Sequence, residues 1–302
     1  MSPPTRIGLA GGGPLTLPVA RRLLAAGHRL TACVPSWVDA KHLEEAGADL
    51  VTRPEHLADC EVIVTGHADS AVKDRFYLAT DGLLPALPPG RLLIDHSLLD
   101  PDQARALARH AARYGASFLD VPLTGGTQKA RLGRLTAVVG GPTDQFERAR
   151  PVLAAYCDDI VHLGPVGAAT ELQLISHLLT GLHATAAAEA AALIARLGLP
   201  PKVSKQILMA APGASTMLDH CLPAALTSSE AAGGATIGAL AETQALVADL
   251  AARLDVPLRL LPAARSQSAA LIRRGAGGHD LSQLARAYDR EARLSAPHPP
   301  PR

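Results

Sequence analysis

The chain has 302 residues, 48% of them hydrophobic, with 29 basic side chains against 28 acidic ones for a net charge of +1. That length buries a sizeable core in one or two domains, and nothing in the charge balance points to a nucleic-acid or polyanion partner. No apolar run is expected to reach membrane-spanning length, and Cys33, Cys60, Cys157 and Cys221 form neither a Cys-x-x-Cys pair nor a Cys/His ligand spacing. No metal and no membrane partner are therefore expected, and the isolated thiols suit a cytoplasmic protein.

In chain order, "RIGLAG" reads as a strand and "PVARRLLAAGH" as a helix closed by Gly27. "RLTACV" is a strand, "VDAKHLEEAGA" a helix, "CEVIVTG" a strand and "AVKDRFYLA" a helix. "GRLLIDHS" follows as a strand, then "PDQARALARHAARYG" as a helix with Pro101 in its first turn. "SFLDVPL", "LTAVVGG" and "DDIVHLG" read as further strands, with "TDQFERARPVLAAYC" helical between the last two. Strand-helix alternation at this spacing predicts a doubly wound, mainly parallel sheet with helices on both faces.

After Gly167 the pattern turns entirely helical. "AATELQLISHLLTGLHATAAAEAAALIARLG" is one long helix, followed by "PKVSKQILMAA", "TIGALAETQALVADLAARLD", "LLPAARSQSAALIRRG" and "DLSQLARAYDREARL". The expectation is an α/β domain over 1–164, an all-α domain over 165–292 joined by a long interdomain helix, and a disordered tail over 293–302.

The stretch "GLAGGGPLTLP" falls between the first strand and first helix, where a dinucleotide fold places its phosphate loop. Gly11 and Gly13 match the first two glycines of Gly-x-Gly-x-x-Gly, and Thr16 stands at the third. In a complete βαβ context this favours a Rossmann-type dinucleotide site over a structural turn. Candidate cofactor contacts are Gly11, Gly13, Pro14 and Leu15 in the loop. Ser36 joins them after the second strand, Gly66, His67 and Ala68 after the third, and Ser97 after the fourth. The second strand ends in "ACVPSW", with no acid for a ribose hydroxyl and no arginine for a 2′-phosphate. Ser36 and Lys41 are the available polar groups, and Trp37 is a candidate cover for adenine. NADP is expected, with NAD the alternative.

Four stretches in fixed order, the glycine loop, "LIDHSLLDPDQAR", "FLDVPLTGGTQKARLGRLTAVVGGP" and "GPVGAATELQLISHLL", together resemble the β-hydroxyacid dehydrogenase family. That family includes 3-hydroxyisobutyrate dehydrogenase, tartronate semialdehyde reductase and, more distantly, 6-phosphogluconate dehydrogenase. The likeness runs through "LAARLDVPLRLLPAA" and "GAGGHDLSQL". It implies a Rossmann-type domain followed by a helical one, a homodimer or tetramer through the helical domain, and a small-molecule substrate. It also places Thr124, Gly125 and Gly126 where the family's Ser-Gly-Gly loop holds a substrate. His67 and His96 stand on loops at strand ends where ligands bind, each a candidate second proton source or cofactor contact, and His96 is also a candidate substrate contact.

The resemblance exposes departures. The family's long helix carries a catalytic lysine and, four residues on, an asparagine; here they are Gln173 and His177. Glutamine donates no proton as an acid. His177, with an ordinary pKa of about 6.5, is the substitute for proton transfer, or else a histidine of the helical core. Glu242 and Thr243 stand where the family has Lys-Asp near cofactor and substrate, and Leu98 and Pro35 replace its Thr and Arg. Loss of both lysines weighs against a carboxylate substrate. Three functions remain: an NAD(P)-dependent oxidoreductase with a non-standard site, an imine reductase on the same scaffold, or a catalytically silent nucleotide-binding relative.

Overall fold

A computed structural model of the chain describes residues 5–67, 70–227 and 235–288. The chain divides into two compact units, Met1–Gln173 and Leu174–Arg302. The first carries β1 (Arg6–Gly11), α1 (Thr16–Ala25), β2 (Arg29–Cys33), α2 (Trp37–Glu45) and β3 (Asp49–Leu50). A 3-10 turn (Pro54–Leu57) leads to β4 (Val62–Gly66), α3 (Ser70–Leu78), α4 (Leu83–Ala86), β5 (Leu92–Asp95) and α5 (Pro101–Arg113). Then come β6 (Ser117–Asp120), β7 (Leu123–Thr124), α6 (Gly126–Leu132), β8 (Leu135–Gly140), α7 (Thr143–Leu153) and β9 (Cys157–Gly164).

The nine strands form one sheet, and β3-β2-β1-β4-β5-β6 run parallel in that order, the doubly wound arrangement. Side-chain alternation explains why helices cover both faces. Val62 and Val64 of β4 and Leu92 and Ile94 of β5 enter one core, while Ile63 and Leu93 enter the other. The order reverses between β1 and β4, so a crevice opens beyond their carboxyl ends. Beyond β6 the sheet becomes mixed. β8 runs antiparallel to β6 and β7 and parallel to β9. The expected single strand "SFLDVPL" is two, because Pro122 has no N–H for a ladder and the chain changes partner there.

A helix of 30 residues, α8 (Ala168–Leu197), crosses the division between the units. The helical unit continues with α9 (Pro201–Ala210), α10 (Thr216–Thr227), α11 (Ile237–Arg253), α12 (Leu261–Ile272) and a 3-10 segment (Leu281–Tyr288). An isolated bridge joins Thr236 to Asp280. The described part of the expected last helix is therefore 3-10, and the expected tail 293–302 lies outside the described residues. One sequence expectation needs correcting. α8 contains an 18-residue window of mean hydropathy 1.4 and is long and apolar enough to cross a bilayer by length and composition. Its alanines raise that value, and Ala184, Ala187, Ala188, Ala191 and Ile194 pack into the helical unit's own core. α9 buries no side chain, and Leu193, Leu197, Val203 and Ile207 are exposed.

What fixes the start of α8 is a buried carboxylate at the end of β6. One oxygen of Asp120 accepts the Gly167 N–H at 2.9 Å, and the other accepts the Thr170 N–H and hydroxyl, each at 2.9 Å. These amides are the unpaired donors of a helix N-terminus, where negative charge is favoured. Burial pushes the Asp120 carboxyl up from its ordinary value, and the Gly167 and Thr170 bonds oppose that rise. The strand beside it leaves room only for glycine, since a Cβ on Gly140 would lie 2.3 Å from an Asp120 oxygen. Arg105 of α5 adds an ion pair with Glu171 in the first turn of α8.

Asp120→Ala leaves those donors unpaired in a buried place. It should lower unfolding free energy by about 3 kcal/mol, read as a lower urea midpoint. An unchanged midpoint would show that the carboxylate does not anchor the helix.

Candidate active site

The turn after β1 is built by glycine stereochemistry. Gly11 has φ +106°, and a Cβ there would fall 2.1 Å from the Gly66 carbonyl oxygen, so β1 and β4 approach this closely only with glycine. The Gly12 N–H donates to that same oxygen at 3.2 Å. Gly13, at φ +146°, has open space where a Cβ would be. The backbone at the start of α1 thus faces a cavity of about 230 Å³, whose lining includes Gly13, Pro14, Leu15, Gly66, His67 and Ser97. His96 and Leu98 line it too. A pyrophosphate fits such a place, with bare backbone, a helix N-terminus and no carboxylate in the lining.

Behind the cavity a hydrogen-bonded network holds the strand ends. Asp95, buried at the end of β5, accepts the Tyr77 hydroxyl at 2.6 Å, the Thr65 hydroxyl at 3.0 Å and the Ser97 N–H at 2.7 Å. The Ser97 hydroxyl in turn accepts the His67 N–H at 2.9 Å. Burial, with the neighbouring Asp95 charge, drives the Tyr77 hydroxyl well above its ordinary pKa, so it remains a donor. Lys73 of α3 is buried beside this network and donates to Gln103 at 3.2 Å, and burial lowers its pKa.

Two histidines at the cavity differ in what they have left to offer. His67 is buried, its Nε2 has no hydrogen-bond partner among the described residues, and burial holds its pKa down. It is an unspent polar atom at the mouth of the crevice. His96 is fully committed. Its Nδ1 lies 2.5 Å from the Val121 carbonyl, which can only accept, so Nδ1 carries the proton. Its Nε2, 3.0 Å from the Tyr156 hydroxyl, then accepts. Burial lowers its pKa and keeps that neutral form. His96 thus lines the cavity with both ring nitrogens held by protein groups.

Thr124 ends β7 exposed, and Gly125 (φ +133°) and Gly126 (φ +69°) follow in conformations that favour glycine. A Cβ on Gly125 would meet the Lys129 side chain at 2.9 Å, so the stem of that exposed lysine lies against the loop. Lys129 was not anticipated at a site, because α6 is too short to show a helical period. Leu123, just before the loop, lines the cavity. Gln173 of α8 is half-buried, and its Oε1 is buried without a partner among the described residues. His177, four residues on, is half-buried, and burial alone lowers its pKa. Spacing on the helix puts both on one side of α8. Glu242 is exposed on α11, and Ala68 lies outside the described residues.

The end of β2 is the expected place for the adenosine half of a dinucleotide. A second pocket, of about 440 Å³, opens beside Gly11, Cys33, Val34 and Pro35, and neither Ser36, Trp37 nor Lys41 lines it. The Ser36 hydroxyl accepts the Asp39 N–H at 3.2 Å as the N-cap of α2. Lys41 faces Glu45, and Trp37 is 76% exposed. The pocket's cations are Arg53 and Arg75, from segments distant in sequence from the glycine loop.

Comparison with known proteins agrees with this geometry. Residues 6–164 match the family described as the NAD binding domain of 6-phosphogluconate dehydrogenase. Residues 167–288 match that described as NAD-binding of NADP-dependent 3-hydroxyisobutyrate dehydrogenase. L-threonate dehydrogenase of Cupriavidus necator is 30% identical over 284 residues, covering 93% of this chain and 95% of that one. The crystal structure of 3-hydroxyisobutyrate dehydrogenase from Salmonella typhimurium superposes with a TM-score of 0.85 at 26% identity, covering 93% of this chain and 99% of that one. An imine reductase from Pseudomonas sp. shares the fold alone, with a TM-score of 0.59 at 19% identity over 94% of this chain and 99% of that one.

Gly13→Ala places a methyl in the open space of the turn without a clash in the free protein. At φ +146° it should cost about 1–3 kcal/mol of stability. Binding of NADPH or NADH should fall by at least about tenfold, as backbone approach to the pyrophosphate is lost. Calorimetry giving an unchanged affinity would remove the turn from the cofactor site.

Proposed function

The chain belongs to the β-hydroxyacid dehydrogenase family and is an NAD(P)-dependent oxidoreductase, and from that premise we propose that it oxidises a small hydroxy acid with His177, rather than a lysine, taking the hydroxyl proton. The bound nicotinamide supplies the hydride acceptor. The observation that carries the reading is the state of α8. At the position the resemblance assigns to the family's lysine stands an amide whose buried oxygen has no partner among the described residues, and one turn later stands an imidazole whose pKa burial lowers.

Each group then has a role set by its chemistry. The Gln173 oxygen accepts a hydrogen bond from the substrate hydroxyl and orients it, without exchanging a proton. Neutral His177 has a lone pair to receive the hydroxyl proton as the C–H hydride leaves. Loss of positive charge at 173 and 242 weighs against a carboxylate substrate, but Lys129, lying against Gly125, keeps a cation beside Thr124, Gly125 and Gly126. That loop, with its backbone N–H groups and hydroxyl, is the proposed carboxylate seat. The relatives L-threonate dehydrogenase and 3-hydroxyisobutyrate dehydrogenase carry hydroxy acids in their names, which supports the same class.

The proposed assembly is a homodimer through the helical unit. Leu193, Leu197, Leu199, Val203 and Ile207 form an exposed apolar set on α8, α9 and the link between them, and a second copy of the chain would cover it. Sedimentation should give twice the chain mass. A single-chain mass at micromolar concentration would rule the dimer out.

The sign of the pH dependence follows from His177. Its pKa is depressed below 6.5, so it is neutral at pH 7, competent as a base, and loses that competence only as pH falls through the lowered value. Oxidation rates should hold flat through neutrality and decline in acid. His177→Ala should lower kcat by roughly 10²–10⁴ and abolish that acid limb, with NADPH affinity retained. An unaltered kcat, or turnover of cyclic imines alone in a substrate panel, would defeat this reading.

A further inference from the structure

We propose that the second pocket of the sheet unit is a 2′-phosphate site, that Arg53 and Arg75 are the phosphate's ligands, and that the chain selects NADP over NAD. The inference rests on the reading of this unit as the dinucleotide-binding domain. It concerns residues that no motif of the chain points to.

The argument begins with what the end of β2 lacks. In this fold an acid at that position binds the ribose 2′-hydroxyl of NAD, and an arginine nearby accommodates the phosphate of NADP. Cys33, Val34 and Pro35 supply neither. The neighbouring strand does. β3 pairs with β2 in parallel with Ala32 opposite Leu50, and the Val51 N–H donates to the Ala32 carbonyl at 2.9 Å. Continuing that register sets Thr52 and Arg53 alongside Val34 and Pro35. The arginine missing from one strand end is thus provided by the adjacent one.

Arg75 reaches the same pocket from α3, so two guanidinium groups come from different elements. Arg53 is 58% exposed and, among the described residues, has its one ion pair with Glu55, two residues along its own loop. Arg75 is exposed and has no ion-pair partner among the described residues. A phosphate therefore meets charge that is not locked into the fold. One acid, Asp81, also lines the pocket, and Glu55 lies outside that lining, so a phosphate competes with Glu55 for Arg53 and meets Arg75 without an ion-pair partner among the described residues. Asp81 is suited to accept the amino group of an adenine. The alternatives from the β2 end are used elsewhere, Ser36 as a helix cap and Lys41 beside Glu45.

Continuity with the first cavity is the second, independent support. His67 lines both pockets, and its Nε2 is buried without a hydrogen-bond partner among the described residues. A ligand running from the glycine turn to the arginines passes that nitrogen, which can bond a ribose oxygen or hydroxyl on the way. A dinucleotide has that length and that sequence of groups.

The test is calorimetric binding to the full-length protein, with no turnover needed, using NADPH, NADH, 2′,5′-ADP and 5′-AMP. NADPH should bind at least about tenfold tighter than NADH, and 2′,5′-ADP tighter than 5′-AMP by a similar factor. Both preferences should shrink as salt is raised. Arg53→Ala and Arg75→Ala should each weaken NADPH by about tenfold while changing NADH by less than about twofold, and Arg53→Lys should keep part of the preference. Equal affinities for NADPH and NADH, or tighter NADH, would overturn the phosphate site and leave the dinucleotide reading intact. Equal losses of both cofactors on Arg53→Ala would overturn the role of that arginine. Failure to bind either dinucleotide would overturn this inference together with the oxidoreductase reading beneath it.

Discussion

A single buried carboxylate, Asp120, couples the sheet to the long helix. It closes β6 and at the same time supplies acceptors for Gly167 and Thr170 at the start of α8. The first turn of this 30-residue helix is thereby held against the sheet within the first unit. Gln173 sits one turn into that helix and His177 two. The cost of burying the charge, visible in the raised pKa of Asp120, is offset by three donors that would otherwise be unpaired. Gly140 makes room for it. The proposed role of Gln173, in the same unit, depends on this one carboxylate.

A second carboxylate does parallel work within the sheet. Asp95 gathers Tyr77, Thr65 and Ser97, and Ser97 passes the constraint to His67. The ends of β4 and β5 are thereby held in register around the glycine turn. Neither acid need touch a substrate to matter, since both hold backbone at the carboxyl ends of parallel strands, where this architecture binds ligands.

Much of this was legible in the sequence. Short apolar runs alternating with amphipathic stretches give the doubly wound sheet, because residues such as Val62, Ile63 and Val64 face alternate sides and both sides are buried. The glycine turn was legible because the close approach of Gly11 to Gly66 tolerates no side chain. Interactions between distant segments were not. Nothing near Asp120 in sequence indicates that its partners are Gly167 and Thr170, and nothing in "VTRP" marks Arg53 as lining a pocket with Arg75. Ser36 is a different case. Its Ser-x-x-Asp spacing to Asp39 is a helix-start signature, and the hydroxyl offered to a cofactor is the cap itself. α6 and α10 went unnoticed because one has only seven residues and the other carries Pro223 inside.

The central claim is hydride transfer from a hydroxy acid without a lysine, and isotope transfer tests it most directly. The protein is incubated at neutral pH with NADP⁺ and hydroxy acids carrying deuterium on the hydroxyl-bearing carbon, and the nicotinamide is examined by mass spectrometry. Deuterium arriving on the reduced nicotinamide ring is the expected result. Binding of the cofactor with no deuterium transferred from any hydroxy acid would contradict the account.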